Sequence, residues 1–195
     1  ASGEALTKRQ DELAIHGWAF EARLYAEDPA RDFLPATGKL ALFAAPENAR
    51  VDSGVRSGDT ITPFYDPMIA KVITHGATRD EALNQLESAL NKTRIAGLVT
   101  NRQFLSDLCK LEAFRKGDVD TGLISRRATT LFKDQQPSEI TFALAALGAL
   151  EILDEPQEGD PWQSLRGFRL WGDASRLVFL EHHGDRQTIS FTIKN

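Results

Sequence analysis

Between Trp18 and Ala26 the chain alternates. Trp18, Phe20, Ala22, Leu24 and Ala26 interleave with Ala19, Glu21, Arg23 and Tyr25. A period of two marks a half-buried strand and sets Glu21, Arg23 and Tyr25 on one face. Glu27-Asp28-Pro29 ends it. Shorter runs predict strands over residues 39–43, 48–55 and 68–74, the third of the four closed by the turn Arg56-Ser57-Gly58-Asp59 and the last ended near Gly76. The period then changes. Thr78 and Glu81 have capping-box spacing, in which hydroxyl and carboxylate satisfy exposed backbone N–H groups. Ala82, Leu83, Leu86, Ala89 and Leu90 follow at helical spacing until Gly97. A second helix is predicted over 101–111, with Phe104, Leu105 and Leu108 as its apolar stripe. Strands followed by helices predict an α+β fold, an antiparallel or mixed sheet with flanking helices.

The texture changes after Arg127, and two domains are expected, 1–127 and 128–195. Lys133-Asp134-Gln135-Gln136-Pro137 reads as a linker. Ser138 is placed to cap a helix running through Ile152, apolar on nearly every face, which predicts enclosure by protein. A polar stretch over 154–161 precedes strand-like runs at 167–171, 176–181 and 186–193, with His183-Gly184-Asp185 as the last turn. Three strands are too few to enclose such a helix. The second domain is therefore expected to be incomplete, with residues 155–195 disordered or covered by a neighbouring chain.

Composition narrows the classes. The 195 residues are 42% hydrophobic and 26% charged, with a net charge of −5. No basic stretch is present to neutralise phosphates, which argues against nucleic acid. A single cysteine, Cys109, allows no internal disulfide. No apolar run reaches the ~18 residues of a membrane helix. The abrupt ends and missing initiator Met read as a fragment.

Self-contained catalytic motifs are missing: no phosphate-binding G-x-x-x-x-G-K-[ST] loop and no G-x-S-x-G elbow. His16, His75, His182 and His183 are scattered, and adjacent strand residues such as the last pair face opposite sides, so surface or structural roles and no metal site are expected. Cys109, beside Leu108 and Leu111, reads as a core thiol. Asp118-Val119-Asp120-Thr121-Gly122 starts like a calcium loop but lacks its central Gly and distant Glu. Two stretches remain, the charged segment 20–40 and "GDTITPFYDPMIAKVI" at 58–73. On composition, Arg23 with Glu21 and Asp66 reads as a salt-bridge network, common as scaffolding.

Longer motifs add to this. "EARLYAEDP…FLPATGKL", "VDSGVRSGDTITPFYDPMIAKVITHGATRDEAL" and "AGLVTN" resemble the C-terminal domain of biotin carboxylase over about residues 8–127. The remainder resembles the start of the domain that follows it in acyl-CoA carboxylase α subunits, a helix within a β-barrel that contacts the carboxyltransferase. Within that family the sequence is most similar to the 3-methylcrotonyl-CoA group. The resemblance implies a ligase in which ATP activates bicarbonate and the carboxyl group passes to N1′ of biotin on a carrier domain. It implies biotin, ATP and Mg2+ as cofactors, with most of the ATP site and the carrier outside this chain, leaving it inactive alone.

The resemblance also gives residue roles. Arg23 stands where the family's arginine faces the biotin ureido oxygen, with Glu21, Tyr65 and Asp66 supporting it. Thr121 aligns near the adenine. Arg50 aligns with a dimer contact, although its neighbour Glu47 stands where an aromatic occurs in relatives, and Trp18 replaces a common histidine. Implied partners are a carboxyltransferase β subunit, the biotin carrier domain and further α subunits. The implied location is the bacterial cytoplasm or the mitochondrial matrix. The alternatives are a propionyl-CoA or acetyl-CoA carboxylase α subunit, or a non-catalytic assembly module.

Overall fold

The computed structural model describes residues 2–132, 136–151, 170–182 and 184–193. The chain divides into two compact units, Ala1–Asp134 and Gln135–Asn195. In the first, strand β1 (Trp18–Tyr25) is followed by the short β2 (Glu27–Asp28), β3 (Leu34–Pro35), β4 (Gly38–Lys39) and β5 (Leu42–Ala44). Then come β6 (Arg50–Ser53), β7 (Thr60–Ile61), β8 (Met68–Gly76), helix α1 (Arg79–Lys92), β9 (Arg94–Ala96), α2 (Arg102–Lys110), α3 (Glu112–Lys116), α4 (Leu123–Arg126) and α5 (Ala128–Leu131). The second unit holds α6 (Glu139–Ala149), β10 (Ala174–His182) and β11 (Asp185–Ile193).

An antiparallel sheet in the order β1-β8-β6 organises the first unit. The alternation in β1 works as expected: Ala22 and Leu24 are buried while Glu21 and Arg23 face outward. Ala22 and Val72 meet Leu83, Leu86, Ala89 and Leu90 of α1 and Cys109 of α2 in one core cluster, and Leu24, Leu40, Ile61, Ile69 and Ala70 form a second. Burial of this kind is worth roughly 1.5–3 kcal/mol for each large aliphatic side chain.

Helix α1 starts where its sequence specifies. The Thr78 hydroxyl accepts from the Glu81 N–H at 3.2 Å. The reciprocal half of the capping box is displaced by one residue, because the Glu81 carboxylate accepts from Ala77 rather than Thr78. The run expected as one strand over 39–43 is two. β4 pairs with β7 and β5 with β9, and between them Leu40 turns inward to complete exposure loss. Gly97 packs against this break: at φ +108° it lies so close that a Cβ would overlap the Lys39 carbonyl oxygen.

In the second unit Ser138 caps α6 by accepting from Thr141 N–H at 3.2 Å. The helix ends at Ala149 rather than running through Ile152, which lies outside the described residues. Its expected enclosure is absent among the described residues: Ala146 is buried, but Ile140 is 71% and Leu144 54% exposed. β10 and β11 form a regular hairpin closed by the His182↔Asp185 pair, with Gly184 at φ +87°; of the expected turn His183-Gly184-Asp185, His183 lies outside the described residues and Asp185 begins β11. Of the strand expected over 167–171, residues 167–169 lie outside the described set and Leu170 and Trp171 are in a bend. Of residues 155–195, where disorder or cover by a neighbouring chain is expected, the described part is mainly this hairpin, and residues 155–169, 183 and 194–195 lie outside the described residues.

Candidate functional site

One face of the three-stranded sheet is charged, and the register explains its pattern. Glu21 stands opposite Ile73, which stands opposite Arg50; Arg23 stands opposite Lys71, which stands opposite Asp52. Opposite charges sit along β1 (Glu21, Arg23), along β6 (Arg50, Asp52) and across from Lys71 to Asp52, whereas Arg23 and Lys71 are like charges directly opposite each other, an unfavourable cross-strand pair. Arg50 binds Asp52 through two hydrogen bonds, each 3.0 Å. That fork holds the Asp52 carboxyl below its ordinary range, with Lys71 adding to the effect.

At the free edge of β1 this face meets an apolar groove of about 330 Å³. Phe20, Leu105, Leu108 and Phe114 contribute apolar walls, and Glu21, Arg23, Tyr25 and Glu27 bring polar groups. Arg23 is the cation at its margin. Its Nε donates to Glu21 Oε1 at 3.4 Å, and its side chain remains 60% exposed. The Tyr25 hydroxyl and then the Glu21 carboxylate favour the charged guanidinium and raise its pKa. Glu27 is shifted upward as well, first by burial and second by the charge of Asp66.

The groove is shaped by an unusual turn. After β2, Asp32 and Phe33 both adopt positive φ, 54° and 57°. This left-handed pair drives the Phe33 ring inward, where it meets Phe104 edge-on at 5.1 Å and Phe132 at 5.8 Å. Strained backbone of this kind persists where packing over-determines it.

Asn101 closes the edge of β1. Its side-chain oxygen accepts from Tyr25 N–H at 2.9 Å, its side-chain nitrogen donates to the Arg23 carbonyl at 3.2 Å, and its own N–H donates to the Tyr25 carbonyl at 3.1 Å. The residue is 5% exposed. Although it occupies the N-cap of α2, its side chain makes no cap bond there.

The structure separates residues that the sequence grouped. Glu21 and Arg23 are joined. Among the described residues no hydrogen bond or ion pair joins Asp66 or Tyr65 to Arg23. The Asp66 carboxylate accepts from Met68 N–H at 2.9 Å, two residues along its own turn. Tyr65 is 85% exposed, and both residues line a separate hollow of about 350 Å³ with Asp52 and Met68. Thr121 is exposed in the turn before α4, beside Asp120, whose carboxylate is engaged by Arg126 and by Gly122 N–H. Cys109 is buried, and desolvation pushes its thiol up to about 11. Among the described residues no group of three or more His, Cys, Asp or Glu could hold a metal ion. No described helix is long and apolar enough to cross a membrane.

Tyr25 and Asn101 were missed as site residues. The alternation had placed Tyr25 on the face of Arg23, so the signal was there. Asn101 ends the motif "AGLVTN", but nothing local gave it a role, since its partners are 76 and 78 residues away.

Known proteins share this architecture. The biotin carboxylase domain of Hydrogenobacter thermophilus 2-oxoglutarate carboxylase, a dimer in complex with MgADP, ADP and bicarbonate, superposes with a TM-score of 0.65 at 30% identity, over 69% of this chain and 30% of that one. The mitochondrial methylcrotonoyl-CoA carboxylase subunit alpha of Dictyostelium discoideum is 44% identical over 179 residues, 87% of this chain and 26% of the relative. The mitochondrial propionyl-CoA carboxylase alpha chain of Caenorhabditis elegans is 38% identical over 160 residues, 77% of this chain and 22% of the relative. The chain thus spans about a quarter of the length of the curated relatives it matches. The biotin carboxylase C-terminal domain model matches residues 21–126, which include the charged face and every residue lining its groove except Phe20, and the chain belongs to that family.

Proposed function

We propose that this chain is part of the α subunit of a methylcrotonoyl-CoA carboxylase and that Arg23 serves the carboxylation of biotin. The observation that carries this reading is a guanidinium held at an apolar groove yet left open to solvent. Among the described residues lining that groove, Arg23 is the one lysine or arginine. It is flanked by Glu21 and Tyr25 and keeps an exposed side chain for a ligand.

The residues fit a ureido group. When bound, biotin supplies the nitrogen that receives the carboxyl group. Arg23 remains charged throughout and donates to an oxygen on which negative charge grows as that nitrogen loses its proton. Glu21 and Tyr25 orient the guanidinium, so little reorganisation is needed as the charge develops. Phe33, Leu105, Leu108 and Phe114 exclude water, which strengthens the electrostatic interaction. Asp66 acts at one remove, through Glu27, and Tyr65 lies beside it.

ATP, Mg2+ and bicarbonate would be held mainly by protein beyond residues 1–195, with Thr121 bordering the adenine. The carrier domain presents biotin, the second unit contacts a carboxyltransferase β subunit, and Arg50 lies at a contact between α subunits. The mitochondrial relatives favour the mitochondrial matrix if the source is a eukaryote. Propionyl-CoA carboxylase is the second reading, supported by the 38% identical relative.

The test uses the complete α subunit. Supplied with ATP, Mg2+, bicarbonate and free biotin, it should form carboxybiotin, with ADP release that requires bicarbonate. Joined to its β subunit, it should carboxylate 3-methylcrotonyl-CoA in preference to propionyl-CoA. The reverse preference would support the second reading, and no carboxybiotin would refute the carboxylase reading.

A further inference from the structure

We propose that Asn101 is a positioning residue that fixes the backbone beneath Arg23 and Tyr25 and so aims the Arg23 guanidinium. This inference rests on the assignment of Arg23 to the biotin half-reaction. It begins with the sheet. β1 pairs with β8 on one side only, so its other edge offers backbone groups without a strand to receive them. At residues 23 and 25 Asn101 takes that place. One carboxamide receives the Tyr25 N–H and donates to the Arg23 carbonyl, and the Asn101 N–H donates to the Tyr25 carbonyl.

Three features make this more than edge protection. The strand's register shifts between Leu24 and Tyr25, where regular pairing with β8 is interrupted. The Asn101 bonds span that irregularity, at the point where β8 constrains the strand least. Next, Asn is among the best residue types for capping its own helix, yet the Asn101 side chain makes no such bond and reaches to β1 instead. Departures from a local rule cluster at functional sites. Finally, the two residues it holds are Arg23 and Tyr25, whose side chains lie together at the groove.

The carboxamide is suited to this task because it offers one donor and one acceptor in a fixed plane. A carboxylate cannot donate to the Arg23 carbonyl, and alanine provides neither bond. A shift of about 1 Å at a reacting group can cost on the order of 10²-fold in rate. Loss of Asn101 should therefore impair the step that uses Arg23 and leave others largely intact.

Asn101→Ala and Asn101→Asp are made in the complete α subunit, each alone and with Arg23→Ala. Biotin carboxylation should fall about 10- to 100-fold in Asn101→Ala, and less in Asn101→Asp, which keeps the acceptor for Tyr25 N–H. Bicarbonate-dependent ATP cleavage without biotin should stay within about threefold. In the Arg23→Ala background, adding Asn101→Ala should change carboxylation by less than about twofold, because the two residues act on one element. The Tyr25 amide should exchange faster with solvent in Asn101→Ala.

Equal loss of both half-reactions, or effects that multiply in the double variant, would overturn the proposal while leaving the role of Arg23 standing. Failure of both Asn101 variants to fold would also overturn it, by making Asn101 a determinant of the fold. Full carboxylation by Arg23→Ala alone would remove the reading on which the inference rests, and both would fall.

Discussion

The two units use similar parts to different ends. In the first, an antiparallel sheet is covered on its apolar face by α1 and α2, and its other face carries a charge pattern with Arg23 at one edge. In the second, a hairpin and an apolar helix leave Ile140, Leu144, Leu177 and Phe179 more than half exposed. A closed apolar face supplies rigidity, and rigidity lets an exposed guanidinium keep one orientation. An open face supplies contact area instead. The proposed function assigns a chemical role to the first unit and an assembly role to the second.

The sharpest test of this contrast compares leucines. Leu83 has no exposed surface and belongs to the core cluster on α1. Leu83→Ala should destabilise the first unit by about 2–5 kcal/mol, through lost burial and the cavity left behind. Chemical denaturation followed by hydrogen exchange on α1 would measure it. A loss below about 1 kcal/mol would mean that this face is less tightly packed than its burial indicates.

A smaller effect is expected from pH. Burial raises the Cys109 thiol from 9.0 to about 11. A raised pKa favours the protonated form in the folded state. Its stabilisation is fully present below about pH 9, where the unfolded thiol is also neutral, and is lost as pH rises from about 9 to about 11. At about 1.4 kcal/mol per unit this is at most ~3 kcal/mol. Denaturation midpoints of the native chain and Cys109→Ala, compared between pH 8 and 11, should converge as pH rises. Parallel curves would show that the thiol ionises freely in the fold.

The smallest effect should be at Leu144, 54% exposed on α6. Leu144→Ala should change stability by no more than about 0.5 kcal/mol in the chain alone. Denaturation of that variant beside Leu83→Ala would complete the comparison. A loss as large as that of Leu83→Ala would mean that the second unit's apolar surface is already covered.

How far the sequence disclosed this arrangement depended on range. Period-two alternation located β1 and its outward Arg23, because strand faces are set by neighbours two residues apart. The Thr78 cap and the apolar stripe of α1 were likewise local. Leu40 could not be resolved, since the break between β4 and β5 packs against Gly97, far along the chain. Asp66 could not be placed from sequence: grouped there with Arg23 and Glu21 as an ion network, its carboxylate accepts from Met68, two residues away. Asn101 was invisible because its residue type pointed to a helix cap while its actual partners came from tertiary packing. The apolar character of α6 was plain, yet sequence could not say which chain would cover it.

The decisive measurement is Arg23→Ala in the complete α subunit, with biotin carboxylation and bicarbonate-dependent ATP cleavage followed side by side. Loss of one preorganised donor at a developing charge typically costs 10²–10³-fold. Carboxylation should fall by about that factor while ATP cleavage largely persists. Unchanged carboxylation in a less stable protein would make Arg23 part of a structural ion network and contradict the account.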